Sequence, residues 1–233
     1  MLLNQTLSES LVNFVNLIHP NFMPVILEKK YENNISLAVW QITESHDELQ
    51  AMLPSEILTD AELASISHPQ KQVEFFCSRL VIRHLATSLG IKYLGIKKDE
   101  HGKPYLAGSN WQMSITHTSN YVAAVMHPSE ALGMDMEKPS EKMQRIAHKF
   151  LSETERTEAE NNIEKLCIYW SAKESLYKLY GKRKVIFNEN LYVFPFQKEQ
   201  NKITGQLKIN DLDEEYSIYV EKIDGYILVV AGK

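Results

Sequence analysis

The spacing of apolar residues along the chain changes repeatedly between the period of a strand and the period of a helix. Period-two alternation predicts strands over 24–31, 35–42, 93–98, 112–116, 120–127, 131–136 and several segments after 190. The first two should form a hairpin that turns at Glu32, Asn33 and Asn34. Helical spacing appears over 5–18, 59–67, 71–89, 142–150, 153–161 and 163–180. The mixture predicts an α+β fold.

Two segments of similar sequence indicate an internal repeat. The string L-T-D-A-E, which begins at Leu58, is followed by F-C-S-R at Phe76, and L-S-E-T-E, which begins at Leu151, is followed by W-S-A-K at Trp170. The leucine and the aromatic residue lie 18 positions apart in the first unit and 19 in the second. The repeat predicts two similar lobes related by pseudo-twofold symmetry, each a small, mainly antiparallel sheet packed on a long helix. We expect the active site between the lobes, which should span 1–115 and 116–233.

Three carboxylates and a lysine are the candidates for chemistry. Asp135 and Glu137 lie two apart in a predicted strand, so they share a face. Glu174 and Lys178 lie four apart in a predicted helix and also share a face. If the two faces meet, the site suits Mg²⁺ bound together with a phosphorylated substrate, which indicates phosphoryl transfer. The alternative is ordinary surface, because acids on an exposed strand and Glu–Lys pairs on a helix are common.

Composition narrows the class of protein. The 233 residues are 44% hydrophobic and 24% charged, and no run of about 18 apolar residues predicts a membrane span. The first residues do not resemble a secretory signal, so we expect a cytoplasmic protein. We also expect a monomer. The net charge of −5 argues against nucleic-acid binding. Cys77 and Cys167 should be buried thiols and not a disulfide.

Four short strings resemble motifs of one enzyme family. G-M-D-M-E-K around Asp135 and W-S-A-K-E-S-L-Y-K around Glu174 resemble the paired signature of the 4′-phosphopantetheinyl transferases. The likeness is closer to the larger, surfactin-synthetase-activating type than to the small fatty-acid-synthase type. G-K-P-Y-L and S-I-T-H-T resemble two further motifs that hold coenzyme A, although the family more often has N-I-S-H-S in the second. Taken alone, the first of these is an exposed hairpin corner and His117 a structural histidine.

The resemblance implies transfer of 4′-phosphopantetheine from coenzyme A to a serine of an apo acyl or peptidyl carrier protein. The released product would be adenosine 3′,5′-bisphosphate. The resemblance also implies that Asp135, Glu137 and Glu174 bind Mg²⁺, or Mn²⁺ in its place. Glu174 directly, or Glu137 through a water, would take the serine proton, and Lys178 would stabilise the departing phosphate. The residues implied for coenzyme A are Arg79, Lys103, Thr116, His117 and Lys178.

The resemblance also implies a different role for each lobe. The first lobe would bind the nucleotide of coenzyme A, and the second would carry the carboxylates and the catalytic helix. Arg79 is favoured over Arg83 because only one of them needs to face the ligand. The segment Glu62–Ser65 has no basic residue, whereas some family members carry lysines there for the 3′-phosphate. Lys173 faces about 100° away from Glu174 and is not assigned the same role.

Two other functions are compatible with the same motifs. One is a non-catalytic module that binds coenzyme A, and the other is a metal-dependent hydrolase that splits its pyrophosphate with water. Retention of all three carboxylates together with Lys178 argues against the binding module, since binding alone would not require the full set. No pattern in the sequence identifies the carrier protein.

Overall fold

The computed structural model describes residues 24–58 and 61–233, so the predicted helix at 5–18 lies outside the described residues. The strands in chain order are β1 (Val25–Lys30), β2 (Ser36–Gln41), β3 (Ile96–Lys98), β4 (Pro104–Leu106), β5 (Gln112–His117), β6 (Tyr121–His127), β7 (Gly133–Glu137), β8 (Leu191–Val193), β9 (Lys202–Ile209), β10 (Leu212–Ile223) and β11 (Tyr226–Gly232). The helices are α1 (His46–Ala51), α2 (Ser55–Leu58), α3 (Ala61–Ala64), α4 (Pro69–Ser88), α5 (Lys142–Phe150), α6 (Glu153–Ala159), α7 (Ile163–Tyr180) and α8 (Phe187–Asn190).

The first lobe is built on an antiparallel sheet in the order β1-β2-β6-β5. The predicted hairpin of β1 and β2 is confirmed, and its turn is a short 3-10 helix at Glu32–Asn34. Asn33 and Asn34 have φ angles of 60° and 64°, a left-handed conformation that asparagine tolerates better than most residues. The long helix α4 packs on this sheet and begins with Pro69. Proline is tolerated at this position because the first N–H groups of a helix have no partner within it.

Two short elements of the first lobe differ from the prediction. The helix expected over 59–67 is described only as the single turn α3, after which the chain bends into α4. The strand expected over 93–98 is limited to β3, which pairs with β4 in a small separate hairpin. β4 follows Gly102, whose φ of 90° allows the tight turn before Lys103. Strand pairing over three residues is too short to leave a clear alternation in the sequence.

The second lobe is built on an antiparallel sheet in the order β7-β11-β10-β9-β8, and α7 packs on it. Gly133, at the start of β7, lets the helix approach closely, because a Cβ there would lie 1.9 Å from the Ser175 carbonyl oxygen. Asn162 caps the first turn of α7, and Gly181 ends it with a φ of 70°. The tight contact holds the side chains of α7 directly over the strand that carries Asp135 and Glu137.

The two lobes meet through a shared apolar cluster. Residues of the first sheet, such as Leu37 and Val125, pack against residues of the second, such as Met134 and Leu228. At the edge of this contact the β7 backbone N–H of Met134 donates to the Ser114 hydroxyl on β5, at 3.1 Å. The division at 115/116 remains a prediction, and the pairing of β5 with β6 in the first sheet favours a division after 127.

The predicted fold class is confirmed, since the chain forms an α+β protein with two lobes, each an antiparallel sheet packed on a long helix. Cys77 and Cys167 are buried free thiols inside α4 and α7, as predicted. Over the described residues, no helix combines the length and the apolar character that crossing a membrane requires.

Candidate active site

Asp135 lies at the centre of the contact between β7, β5 and α7. It is buried, and its Oδ1 accepts a hydrogen bond from the Lys178 ammonium at 2.8 Å and a longer one from the Thr116 hydroxyl at 3.5 Å. Its Oδ2 is also buried but receives no hydrogen bond from the described part of the chain. A buried carboxylate oxygen without a donor is costly, so this atom is suited to a ligand that supplies positive charge.

Glu137 and Glu174 lie close enough to Asp135 for their charges to interact. Burial, followed by the negative charge of Asp135, raises the pKa of Glu137, while a hydrogen bond from Trp170 opposes the change. Burial raises the pKa of Glu174 to about 7, with further increases from Asp135 and Glu137 and an opposing effect of Lys178. The structure therefore brings together the three carboxylates and the lysine that the sequence analysis selected.

The carboxylates of Asp135, Glu137 and Glu174 are suitable ligands for a divalent cation, although their side chains are not arranged around one binding position. Over residues 24–58 and 61–233, no group of three or more His, Cys, Asp or Glu side chains is arranged to hold a metal ion. The fit rests on the Oδ2 of Asp135, which has no donor among the described residues, and on the raised pKa values of Glu137 and Glu174, which burial causes first and the neighbouring negative charges second. Carboxylate oxygens in this number leave positions for waters and phosphate oxygens, as Mg²⁺ requires. The metal site remains a prediction.

Thr116 and His117 end β5 and face different partners. Thr116 contacts Asp135, as described above, whereas His117 Nδ1 lies 3.2 Å from an oxygen of the buried carboxylate of Glu74. Glu74 also accepts a hydrogen bond of 2.6 Å from Lys71. Burial lowers the pKa of His117, and the charge of Glu74 acts in the opposite direction. Glu74 and Lys71, which the sequence analysis did not select, therefore fix the orientation of this imidazole.

Lys103 joins the small hairpin to the end of α7. Its ammonium donates to the Leu179 carbonyl oxygen at 2.8 Å, and burial lowers its pKa. Its stem lies over Gly181, where a Cβ would come within 2.7 Å of the lysine Cδ. A cation at a helix C-terminus satisfies a carbonyl that has no partner within the helix. The sequence predicts that this lysine lies on a turn and contacts a phosphate of coenzyme A, and this role remains a prediction.

Arg79 projects from α4 toward α3. Its guanidinium donates to Glu62 at 3.0 Å and lies over the Phe75 ring, 3.4 Å from the centroid. The same Glu62 carboxylate accepts a hydrogen bond of 2.7 Å from Lys98 on β3. Arg83, the alternative to Arg79, is half-buried one turn further along α4.

Two family models match the chain. The model of the 4′-phosphopantetheinyl transferase superfamily matches 131–231, and the model of the 4′-phosphopantetheinyl transferase N-terminal domain matches 59–127. The two ranges follow one another and together include all the candidate residues, most of the second lobe and the part of the first lobe after residue 58. The chain belongs to the 4′-phosphopantetheinyl transferase superfamily. Its general activity is therefore the transfer of phosphopantetheine. No curated protein sequence matches it.

One ion pair of this transferase was missed in the sequence. Lys173 is fully buried, and its ammonium donates to Glu155 at 2.7 Å, to the Phe150 carbonyl at 2.7 Å and to the Phe187 carbonyl at 3.1 Å. The second oxygen of Glu155 accepts the Val193 N–H at 2.9 Å. All three ammonium hydrogens are used, so Lys173 is a structural residue that connects α5, α6, α7 and α8. The signal in the sequence was the repeat itself, which places an acid and a base at matching positions in both units.

A groove beside Glu174 was also missed. It measures about 600 Å³ and is open to solvent. Phe150 and Phe187 lie in the walls of this groove, and their backbone carbonyls accept hydrogen bonds from the Lys173 ammonium. Its lining is otherwise mainly apolar and comes from α5, α7 and the segment before α8: Ile146, Lys149, Phe150, Trp170, Glu174, Val185, Ile186 and Phe187. No periodicity could predict this groove because its residues come from distant segments.

Proposed function

We propose that this transferase moves 4′-phosphopantetheine from coenzyme A to a serine of an apo acyl or peptidyl carrier protein, as a member of the larger, surfactin-synthetase-activating type. The observation that carries the proposal is the environment of Asp135. One of its oxygens is bound by Lys178, the other is buried and has no donor within residues 24–58 and 61–233, and two further carboxyl groups with raised pKa values lie beside it. Clustered acids with a cation are suited to a reaction at phosphorus in which negative charge builds up.

The proposed reaction is a displacement at one phosphorus atom of the pyrophosphate. The serine oxygen forms a bond to the phosphorus that carries pantetheine, and the bridging P–O bond breaks. The electron pair of that bond leaves with adenosine 3′,5′-bisphosphate. The serine proton passes to Glu174 directly or to Glu137 through a water. Lys178, whose ammonium is half-exposed beside Asp135, stabilises the negative charge on the departing phosphate.

Asp135, Glu137 and Glu174 would hold Mg²⁺ or Mn²⁺ in this site. When bound, the cation neutralises negative charge on the pyrophosphate. Without it, three carboxylates would repel an anionic substrate, as the raised pKa values of Glu137 and Glu174 indicate. The unpartnered Oδ2 of Asp135 is the atom that most needs such a ligand.

Coenzyme A is proposed to lie across the contact between the lobes. Thr116 and His117, at the end of β5, are next to the carboxylates and would contact the phosphates. Arg79 would contact the nucleotide on the side of the first lobe. Lys103 would contact it from the turn of the small hairpin. Its ammonium would then either give up its hydrogen bond to the Leu179 carbonyl or keep that bond and contact the ligand as well. The groove that Glu174 lines opens to solvent on the side of the second lobe.

The test is mass spectrometry of apo acyl and apo peptidyl carrier proteins after incubation with the enzyme, coenzyme A and Mg²⁺. A carrier that gains the phosphopantetheinyl mass, with no gain when the carrier serine is replaced by alanine, supports the proposal. Free phosphopantetheine without a modified carrier would indicate the hydrolase instead, and binding of coenzyme A without any product would indicate the binding module. The Asp135→Ala variant is the matched control, because it removes the central carboxylate and should abolish transfer.

A further inference from the structure

The two units of the internal repeat carry equivalent ion pairs. In each unit the acid lies four positions after the leucine and the base three positions after the aromatic residue, which gives Glu62 with Arg79 and Glu155 with Lys173. Both pairs form in the structure, at 3.0 Å in the first lobe and 2.7 Å in the second. In both lobes the pair attaches the short preceding helix to the long one, α3 to α4 and α6 to α7.

The two pairs differ in exposure and in the number of cations. The side chains of Lys173 and Glu155 are 0% and 5% exposed, and Glu155 has one cationic partner. Glu62 is 36% exposed and accepts from a second cation, Lys98, whose side chain is 52% exposed. The pair of the second lobe is therefore closed on both sides, whereas the pair of the first lobe is open to solvent at its carboxylate and buried at Arg79, whose side chain is 9% exposed.

Glu62 occupies a position that is suited to a phosphate group. The Arg79 guanidinium packs over the Phe75 ring and presents a planar set of donors to one oxygen of Glu62, and Lys98 presents a flexible ammonium to the other oxygen. Burial alone would raise the pKa of Glu62, but the hydrogen bond from Lys98 and the charge of Arg79 more than reverse this, and the pKa falls below its usual value. The side chain is thus an ionised anion between two cations.

We propose that Glu62 is an internal competitor of the nucleotide, whose carboxylate holds the position between Arg79 and Lys98 that a phosphate of coenzyme A takes when it displaces this side chain. The inference rests on the proposed function, since it takes coenzyme A as the donor. It adds Lys98 to the residues that bind the ligand. The Glu62 side chain is 36% exposed and its contact with the exposed Lys98 is screened by salt, so the carboxylate can rotate into solvent on the single turn of α3 and leave the buried Arg79 guanidinium to the phosphate.

Calorimetric titration of the full chain with coenzyme A and with 3′-dephospho-coenzyme A, without carrier protein, tests the proposal. Glu62→Gln removes the competing charge, so we expect it to bind coenzyme A at least about threefold more tightly, with the dephospho compound changed by less than about twofold. Lys98→Met should weaken coenzyme A by at least about threefold and leave the dephospho compound nearly unchanged.

The control is Glu100→Gln, which changes the net charge equally on the neighbouring turn, where the Glu100 side chain is 87% exposed. A gain in this variant equal to that of Glu62→Gln would be a general charge effect and would overturn the inference. If the wild-type chain binds coenzyme A and Glu62→Gln binds it no more tightly, the inference is wrong while the proposed function stands. If the wild-type chain does not bind coenzyme A at all, both are wrong.

Discussion

The long helices of the two lobes occupy equivalent places but present different chemistry. Counting from the matched aromatic residues, Leu80 of α4 corresponds to Glu174 of α7, and His84 corresponds to Lys178. Leu80 is buried in the apolar core of the first lobe, and His84 contacts Glu28 on β1. In the second lobe the same two positions hold a carboxyl group of raised pKa and an ammonium bound to Asp135. One scaffold therefore carries the groups proposed to react in only one of its two copies.

The equivalent ion pairs, Glu155 with Lys173 and Glu62 with Arg79, also differ between the lobes. In the second lobe the pair is closed and supports the helix that carries the reactive groups, because every donor of Lys173 is used inside the protein. In the first lobe the pair is open and shares its carboxylate with Lys98. If the second lobe carries the reaction and the first binds the nucleotide, as proposed, the closed pair gives the reacting helix a rigid base and the other pair can serve as an exchangeable contact.

The largest effect should come from breaking the closed pair. Glu155→Gln leaves the ammonium of Lys173 buried without a carboxylate, and we expect it to lower the free energy of unfolding by about 3–5 kcal/mol. The matched change Glu62→Gln acts on a pair whose carboxylate is 36% exposed although its guanidinium is only 9% exposed, and it should cost less, about 1 kcal/mol. Urea denaturation of both variants, compared with the wild type, measures the difference.

The rank order of these two variants is the decisive result. Equal losses of stability would mean that the open pair is as structural as the closed one, and the contrast between the lobes would have no energetic basis. Val193 provides a second check, since its N–H donates to Glu155 and its amide should exchange with solvent faster in Glu155→Gln than in Glu62→Gln.

A smaller effect should follow from giving the second lobe the residue of the first. Glu174→Leu places at this position the side chain that α4 has at Leu80. We expect transfer to a carrier protein to fall at least about 100-fold, or about 2.7 kcal/mol in activation free energy. Stability should not fall, because burial already disfavours the ionised form of Glu174 and raises its pKa.

Steady-state transfer rates and urea denaturation on the same preparation separate the two quantities. A variant that transfers at the wild-type rate would exclude Glu174 from the reaction. A variant that loses both activity and stability would indicate that Glu174 supports the fold, and the comparison with Leu80 would then carry no information about catalysis.

Elements with a clear local period could be predicted from the sequence. The hairpin of β1 and β2, the helices α4 and α7 and the strand β7 each extend over enough residues to show alternation or helical spacing. The placement of Asp135, Glu137, Glu174 and Lys178 near one another also followed, since each pair shares one face of its element and α7 packs on β7.

The contacts that link distant segments could not be predicted. Lys173 was set aside because its direction on the helix differs from that of Glu174, and nothing local indicates that three acceptors from other elements surround it. Ser152 and Glu155 form a capping box, which by itself explains an acid at position 155. The sequence therefore gives no reason to expect that Glu155 also binds Lys173. The contact of Lys103 with Leu179 joins residues 76 positions apart, which no periodicity encodes.

The smallest effect in the comparison concerns Lys178 and its counterpart His84. Lys178→Met keeps the aliphatic stem and removes the ammonium that contacts Asp135. We expect kcat to fall at least about tenfold, or about 1.4 kcal/mol, with a smaller change in the affinity for coenzyme A, because the cation acts mainly as charge builds on the leaving phosphate. Lys178→Arg should restore little, since a planar guanidinium cannot place a point charge at the same depth. His84→Met, at the matching position of α4, should leave kcat and KM unchanged. Normal turnover by Lys178→Met would assign this lysine to surface packing and leave the reactive helix with Glu174 alone.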